Sequence, residues 1–273
     1  MPRGAPSHHS HNKQRQEVHA QLLSPSFRMQ VAPKPGGCRV QARRAFKALF
    51  RRLCAAEAAR VRALPVPAPP PSKRRHALLM EFRALPHVEV VLRHAMRQLG
   101  PTWAHTIVCG PDNESCMRAL APPGVDVLCL PRCRNMTLAA YNRLLTSVAF
   151  WQAIEGENIL IHQEDSFMFK ADNLERFLSY DYVGAPWHNG QVGNGGFSLR
   201  KRSAMLRLCR AHPPVHVPED LHFHRLFRLH KSRVAPWSVA RQFSVENVAF
   251  DDAVAGHQWW WAYRTSDTWV RMV

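Results

Sequence analysis

From residue 74 onward, short apolar runs alternate with stretches in which apolar residues return every three or four positions. Apolar runs bounded by turn residues read as buried strands, and the three-four spacing reads as helix. Ala77 to Phe82 predicts a first strand, Thr106 to Cys109 a second and Val125 to Leu130 a third. Between the first two, Val88, Val91, Leu92, Ala95 and Leu99 line one face of a helix that Gly100-Pro101 stops. A short helix carries Met117 and Leu120, and Thr137 to Ile154 predicts one long helix closed by Gly156. A fourth apolar run then breaks into acid, Asn158-Ile-Leu-Ile-His-Gln-Glu-Asp-Ser166. A short element at Leu174 to Leu178, a helix from Lys201 to His212 and another from Pro218 follow, before the aromatic ending Gly256-His-Gln-Trp-Trp-Trp-Ala262. This alternation predicts a layered α/β fold, a mixed sheet flanked by helices.

Charge divides the chain. Residues 1–75 hold sixteen Lys and Arg against Glu17 and Glu57, so that segment carries +14 of the formal +17. The basic excess belongs to an N-terminal extension, residues 1–73, and not to a face of the domain, residues 74–273. Residues 1–40 are polar and rich in His, Pro and Ser, and are expected to be disordered; His8, His9 and His11 form a weak metal-binding tract at most. Residues 41–63 differ. Phe46, Leu49, Phe50, Leu53, Ala56 and Val61 recur at helical spacing among Arg43, Arg44, Arg51, Arg52 and Arg60. This basic amphipathic helix suits an anionic membrane or nucleic-acid surface, an organelle address, or packing on the domain behind it. Leu64 to Pro71 reads as a proline-rich linker. No apolar stretch is long enough to span a bilayer and no compact secretory signal is visible, which favours a cytoplasmic location with organelle targeting left open. Asn113 and Asn135 sit in glycosylation acceptor patterns that matter only in a secretory compartment. The seven cysteines have no spacing that completes a zinc site.

The candidate chemistry gathers after the fourth strand. Glu164, Asp165 and Ser166 sit in a kink between two apolar runs, at the strand end where open α/β sheets bind ligands. One or two carboxylates there suit a hard divalent cation, and equally a turn or helix cap. Gly193-Asn-Gly-Gly196 permits close backbone approach to a ligand, or makes a tight hairpin. Pro218-Glu219-Asp220 is a good helix start, and a carboxylate held there also serves as a general base. His257 is a metal ligand or a packed histidine. Trp187 and Trp259 to Trp261 offer flat faces for sugar rings, or core anchors.

In this order the segments resemble the GT-A-like glycosyltransferases, most closely a family seen in fungi, bacteria, algae and large DNA viruses. The resembling residues are Tyr141-Asn-Arg-Leu-Leu-Thr-Ser147, Phe150-Trp151, Ile159-Leu-Ile-His-Gln-Glu-Asp-Ser166 and Tyr180-Asp-Tyr-Val-Gly-Ala-Pro-Trp187. They continue with Val192-Gly-Asn-Gly-Gly-Phe-Ser-Leu-Arg200, Pro218-Glu-Asp220, Phe243-Ser-Val-Glu246 and Gly256-His257. The resemblance implies a GT-A-like, Rossmann-like domain and a metal-dependent, inverting transfer of sugar from a nucleotide-sugar donor to a glycan, protein or small-molecule acceptor. Asp165 would bind Mn²⁺ or Mg²⁺, with His257 as a second metal ligand. Gln163 stands where the family's metal motif begins with Asp, and Glu164 is beside it. Asp220 is similar to the catalytic base, with Glu219 as the fallback. Gly195 and Gly196 would wall the transferred sugar, Arg83 and Arg143 would meet the nucleotide and its phosphates, and Trp187, Asn194 and Trp259 would face the acceptor. Two rival readings stand: an anionic-surface or nucleic-acid binder acting through the basic tail, and an inactive GT-A fold used for binding.

Overall fold

The computed structural model describes residues 39–134 and 136–263. The histidine tract and Asn135 lie outside the described residues. Strands β1 (Arg75–Met80), β2 (Ala104–Cys109), β3 (Val125–Cys129) and β4 (Asn158–His162) are parallel. The hairpin of β6 (Tyr182–Pro186) and β7 (Val192–Lys201) adds to β4 antiparallel, which gives one mixed sheet in the order β3-β2-β1-β4-β7-β6. The chain is therefore a mixed α/β fold with helices flanking a six-stranded sheet. Strands β2 and β4 are buried at every residue. That is why their centres read as continuous apolar runs, Ile107-Val-Cys109 and Ile159-Leu-Ile161, and not as alternation.

Helix α2 (Val88–Leu99) follows β1 with the expected apolar face inward, and Gly100 ends it at a φ of 74° that glycine takes without strain. Helix α3 (Glu114–Leu120) joins β2 to β3. The single helix expected over 137–154 is two, α4 (Leu138–Leu145) and α5 (Val148–Ala153). The break has a local cause. Thr146 Oγ1 donates back to Asn142 O at 2.8 Å, and Ser147 Oγ accepts from the Phe150 amide at 3.2 Å and so starts a new helix. Helices α6 (Arg202–Ala211), α7 (Glu219–Leu229) and α8 (Trp237–Phe243) complete the second half. The β6–β7 hairpin turns at Trp187–Gln191, so Gly193 to Gly196 lie inside β7 and are not its turn.

The basic helix α1 (Arg39–Ala63) settles the reading left open above for its apolar face. Phe46, Leu49, Phe50, Cys54 and Val61 are buried in one core with Val88, Val91 and Leu92 of α2 and with Trp259 and Trp260. Phe50 alone meets the rings of His87, Phe167, Trp259 and Trp260 at centroid distances of 5.3–6.2 Å. The boundary expected near residue 74 therefore falls inside a single packing unit, because α1 fills the core that α2 and the C-terminal tryptophans leave open. Pro65 ends the helix, since a residue before proline resists the helical conformation. None of the described helices is long and apolar enough to cross a membrane. Phe50→Ala should cost ~3–5 kcal/mol of stability, while Arg52→Ala on the exposed face should stay within about 0.5 kcal/mol. Urea unfolding of both variants checks this, and equal effects would mean that α1 does not dock.

Candidate active site

The mouth of the sheet is built where β4 ends and β7 begins. After His162 the chain turns sharply: the Ser166 amide donates to Gln163 O at 3.0 Å, and the Gln163 amide donates to Ser166 Oγ at 3.1 Å. This closed turn sets Glu164 and Asp165 at its two central positions. Strand β5 (Ser166–Met168) leaves at once and joins a small second sheet with β8 (Ser244–Val245) and β9 (Ala255–His257), in the order β5-β9-β8. Ser166 pairs with His257, and Glu246 follows β8 directly. Three segments far apart in sequence thus converge on Asp165.

Both acids are buried and fully engaged. Glu164 Oε1 lies 2.9 Å from Lys47 Nζ, 3.0 Å from Arg51 Nη2 and 3.2 Å from Arg83 Nη2, and its Oε2 lies 2.7 Å from His87 Nε2. Asp165 Oδ2 receives Lys47 Nζ at 2.7 Å and Gln258 Nε2 at 2.8 Å, and its Oδ1 is 3.4 Å from His257 Nε2. Burial alone would raise both carboxyls. The hydrogen bonds from His87 and Arg51 and the charge of Lys47 outweigh both burial and the charge of Asp165, and hold Glu164 below the usual carboxylate range. His257 and Lys47 hold Asp165 well below the usual carboxylate range. His257 is pushed up in return: burial opposes its charge, but Asp165 and Glu246 favour it.

Across the mouth sit Glu219 and Asp220, the first two residues of α7, in opposite situations. Glu219 is clamped by the buried Arg200, with both Nη1–Oε2 and Nη2–Oε1 at 2.9 Å. Arg200 also packs its guanidinium over the rings of Tyr182 and Phe223. Asp220 is half-buried, accepts only its neighbour Leu221's amide at 2.8 Å among the bonds described, and has its carboxyl raised to about 6 by burial and by Glu219 and Glu246. A carboxylate tuned near neutrality and free of an ion pair suits proton removal. The clamped Glu219 does not.

The glycines have a packing reason of their own. A Cβ on Gly195 would fall 2.2 Å from Glu219 Oε1, and one on Gly196 would fall 2.3 Å from the His257 ring. Both have extended backbone, so glycine is needed here because Glu219 and His257 press against the strand where a Cβ would stand. Asn194 turns inward, accepting from the Gly196 amide at 3.1 Å. Trp259 is a core residue, fully buried against Phe50 and Phe169, and offers no acceptor face. Trp187 remains half-exposed, its ring 5.7 Å from that of His224. Gln163 Nε2 donates to the Tyr141 hydroxyl at 3.0 Å. Arg83 joins the cluster, whereas Arg143 is exposed and lies 3.2 Å from His216 Nε2. Sequence reasoning missed Lys47, Arg51, His87, Glu246 and Gln258. For the first two the signal was present, as cations one turn apart on the helix whose other face is apolar.

The 3.4 Å between Asp165 and His257 is a spacing that two ligands of one ion can have. The remaining carboxylate oxygens, however, are taken by Lys47, Arg51, Arg83, His87 and Gln258, and Lys47 Nζ sits between the two acids. Among the described residues no three His, Cys, Asp or Glu side chains form a metal-holding group. As arranged, these residues hold an ammonium group and do not fit a divalent cation.

A cavity of about 670 Å³, lined by Lys73, His76, Asp126 and Glu155 among others, opens at the other end of the sheet, below the starts of β1 to β3. Ligands of such sheets bind at the carboxyl ends of the strands, so the functional assignment follows the charged mouth and not this hollow. A family model described as "Protein of unknown function (DUF5672)" matches residues 125–257. That span runs from the start of β3 to the end of β9 and leaves α1 outside. No curated protein matches the chain. Among solved structures the chain is similar to a 4-diphosphocytidyl-2C-methyl-D-erythritol synthase from Anaerococcus prevotii, with 9% identity and a TM-score of 0.42 over 60% of this chain and 86% of that one. It is also similar to a mannosyltransferase from Pyrobaculum calidifontis in complex with GDP-Man and Mn²⁺, with 16% identity, a TM-score of 0.47 and 71% of this chain covered. The chain spans 64% of that mannosyltransferase's length.

Arg200→Met strands the Glu219 carboxylate in the interior and should cost about 3–5 kcal/mol. Adding Glu219→Met should recover most of that loss in denaturant unfolding. A single-variant effect as small as that of an exposed pair would show that the Arg200 clamp is not sequestered.

Proposed function

We propose that this mouth is the donor site of a GT-A-like glycosyltransferase that moves a sugar from a nucleotide-sugar donor to an acceptor hydroxyl. The observation that carries this reading is the pairing of environments at the start of α7: Glu219 is neutralised by Arg200, while Asp220 keeps a free carboxyl raised to about 6 at the edge of the mouth. The acid turn at the end of β4 and the position of both groups at the carboxyl end of the sheet support it.

In this reading Asp220 takes the proton of the acceptor hydroxyl as its oxygen attacks the anomeric carbon. The new carbon–oxygen bond forms as the bond to the donor phosphate breaks, and the nucleoside diphosphate leaves with that electron pair. Attack from the face opposite the leaving group inverts the anomeric centre. The transition state is oxocarbenium-like, as in glycoside hydrolysis. Arg83 faces the departing phosphates, and the half-exposed Trp187 ring offers a stacking surface for the acceptor. The acceptor is a glycan, a protein or a small molecule.

The test is release of nucleoside diphosphate from a panel of nucleotide sugars by the full chain, with and without candidate acceptors. Asp220→Asn should lower turnover by ~10²–10⁴-fold, and normal transfer by that variant would remove Asp220 from the role of base. Because the base acts ionised, kcat/KM should rise with pH and level off above about 6. Stability should move the opposite way. A carboxyl raised on folding binds its proton more tightly in the native state, so its contribution is lost as pH climbs from the ordinary 3.8 through about 6. Asp220→Asn should flatten both dependences over that window, and an unchanged pH–rate profile would assign the titration to another group.

A further inference from the structure

The geometry points to Lys47 as the resident cation of the site: α1 carries a diphosphate-binding residue, and the donor's phosphates are met by Lys47, Arg51 and Arg83 without a divalent ion. This rests on the donor-site reading above and adds the part of the chain that sequence reasoning treated as an extension.

The first argument is which charges face outward. The side chains of Glu164 and Asp165 are each only 2% exposed, whereas Lys47, Arg51 and Arg83 are 24%, 33% and 57% exposed. The acids form the floor and the cations form the surface. An arrangement that recruits a metal ion turns carboxylates toward the opening. This one turns ammonium and guanidinium groups there, the chemistry that recognises phosphate oxygens.

The second argument is anchoring. Lys47 and Arg51 are one turn apart on α1, and Leu49 and Phe50 between them are completely buried. The helix backbone is therefore fixed by the core. Lys47 Nζ, held at 2.9 Å from Glu164 and 2.7 Å from Asp165, is a placed charge and not a mobile surface lysine.

The third is spare capacity. The lysine ammonium has three N–H donors, and only two acceptors are described for it. The bond described for Arg51 runs through Nη2 to Glu164, leaving Nη1, and Arg83 bonds through Nε and Nη2, again leaving Nη1. A dication entering at Asp165 would instead have to expel Lys47 from two buried carboxylates, leaving an ammonium group to be resolvated.

The experiment is calorimetric titration of the full chain with inorganic pyrophosphate, in EDTA and again with Mn²⁺. Pyrophosphate should bind in EDTA, Lys47→Met should weaken it about tenfold or more, and Lys47→Arg should restore most of the affinity. Thermal unfolding of each variant confirms that α1 is still docked. Binding that requires Mn²⁺, no binding in either condition, or equal affinity in Lys47→Met would overturn the assignment. The reaction reading fails separately: metal-free, Lys47-dependent pyrophosphate binding without sugar transfer from any donor sinks the transferase and leaves the anion site standing.

Discussion

Two adjacent carboxylates buried at the end of one strand are the constraint that the rest of this structure answers. Glu164 and Asp165 repel each other and are withdrawn from water, and a buried charge without partners is among the most expensive features a fold can carry. Their partners come from four separate places: Lys47 and Arg51 on α1, Arg83 after β1, His87 at the start of α2, and His257 with Gln258 at the end of β9. Removing any of these elements leaves the buried acids short of hydrogen-bond partners. The docking of α1 and the closure of the small sheet are thus electrostatic requirements as well as hydrophobic ones.

A second buried pair organises the opposite side of the mouth. Arg200, on β7, reaches across to Glu219 and fixes the start of α7 against the strand, which in turn demands glycine at position 195. Because Arg200 satisfies Glu219 and not Asp220, two neighbouring acids end in different states. One is locked in a two-point pair with Arg200. The other is lifted toward neutrality, where it can both lose and gain a proton. The same logic runs through Glu246, which faces His257 at 3.7 Å on one side and contributes to raising Asp220 on the other. The two halves of the mouth are therefore coupled by charge as well as by packing.

Much of the layout was legible in the chain. The apolar runs of β1 to β4 and the heptad-like stripe of α2 follow from burial, and the layered α/β fold follows from their alternation. Asp165 and Asp220 read by themselves as ordinary cap or first-turn acids, and only the order of the segments around them singled them out. The split of α4 from α5 was missed because a hydroxyl competing for a backbone carbonyl leaves no mark on hydrophobic periodicity. The packing of Gly195 and Gly196 was not legible, because a glycine shows only that something comes close, and here Glu219 and His257 are the close neighbours. Trp259 read equally well as platform or core, and only its neighbours Phe50 and Phe169 decide.

The sequence by itself determined the strands β1 to β4 and most of the helices, where the acids fall, and that residues 41–63 form a helix with one apolar and one basic face. Those properties are local, set by side-chain chemistry at fixed spacing. Only the tertiary structure decided what that helix faces. Its apolar stripe completes a core more than a hundred residues away along the chain, and its cations come to rest on Glu164 and Asp165. Spacing fixes which side of a helix is basic, but the acid it meets is chosen by the packing of every element in between.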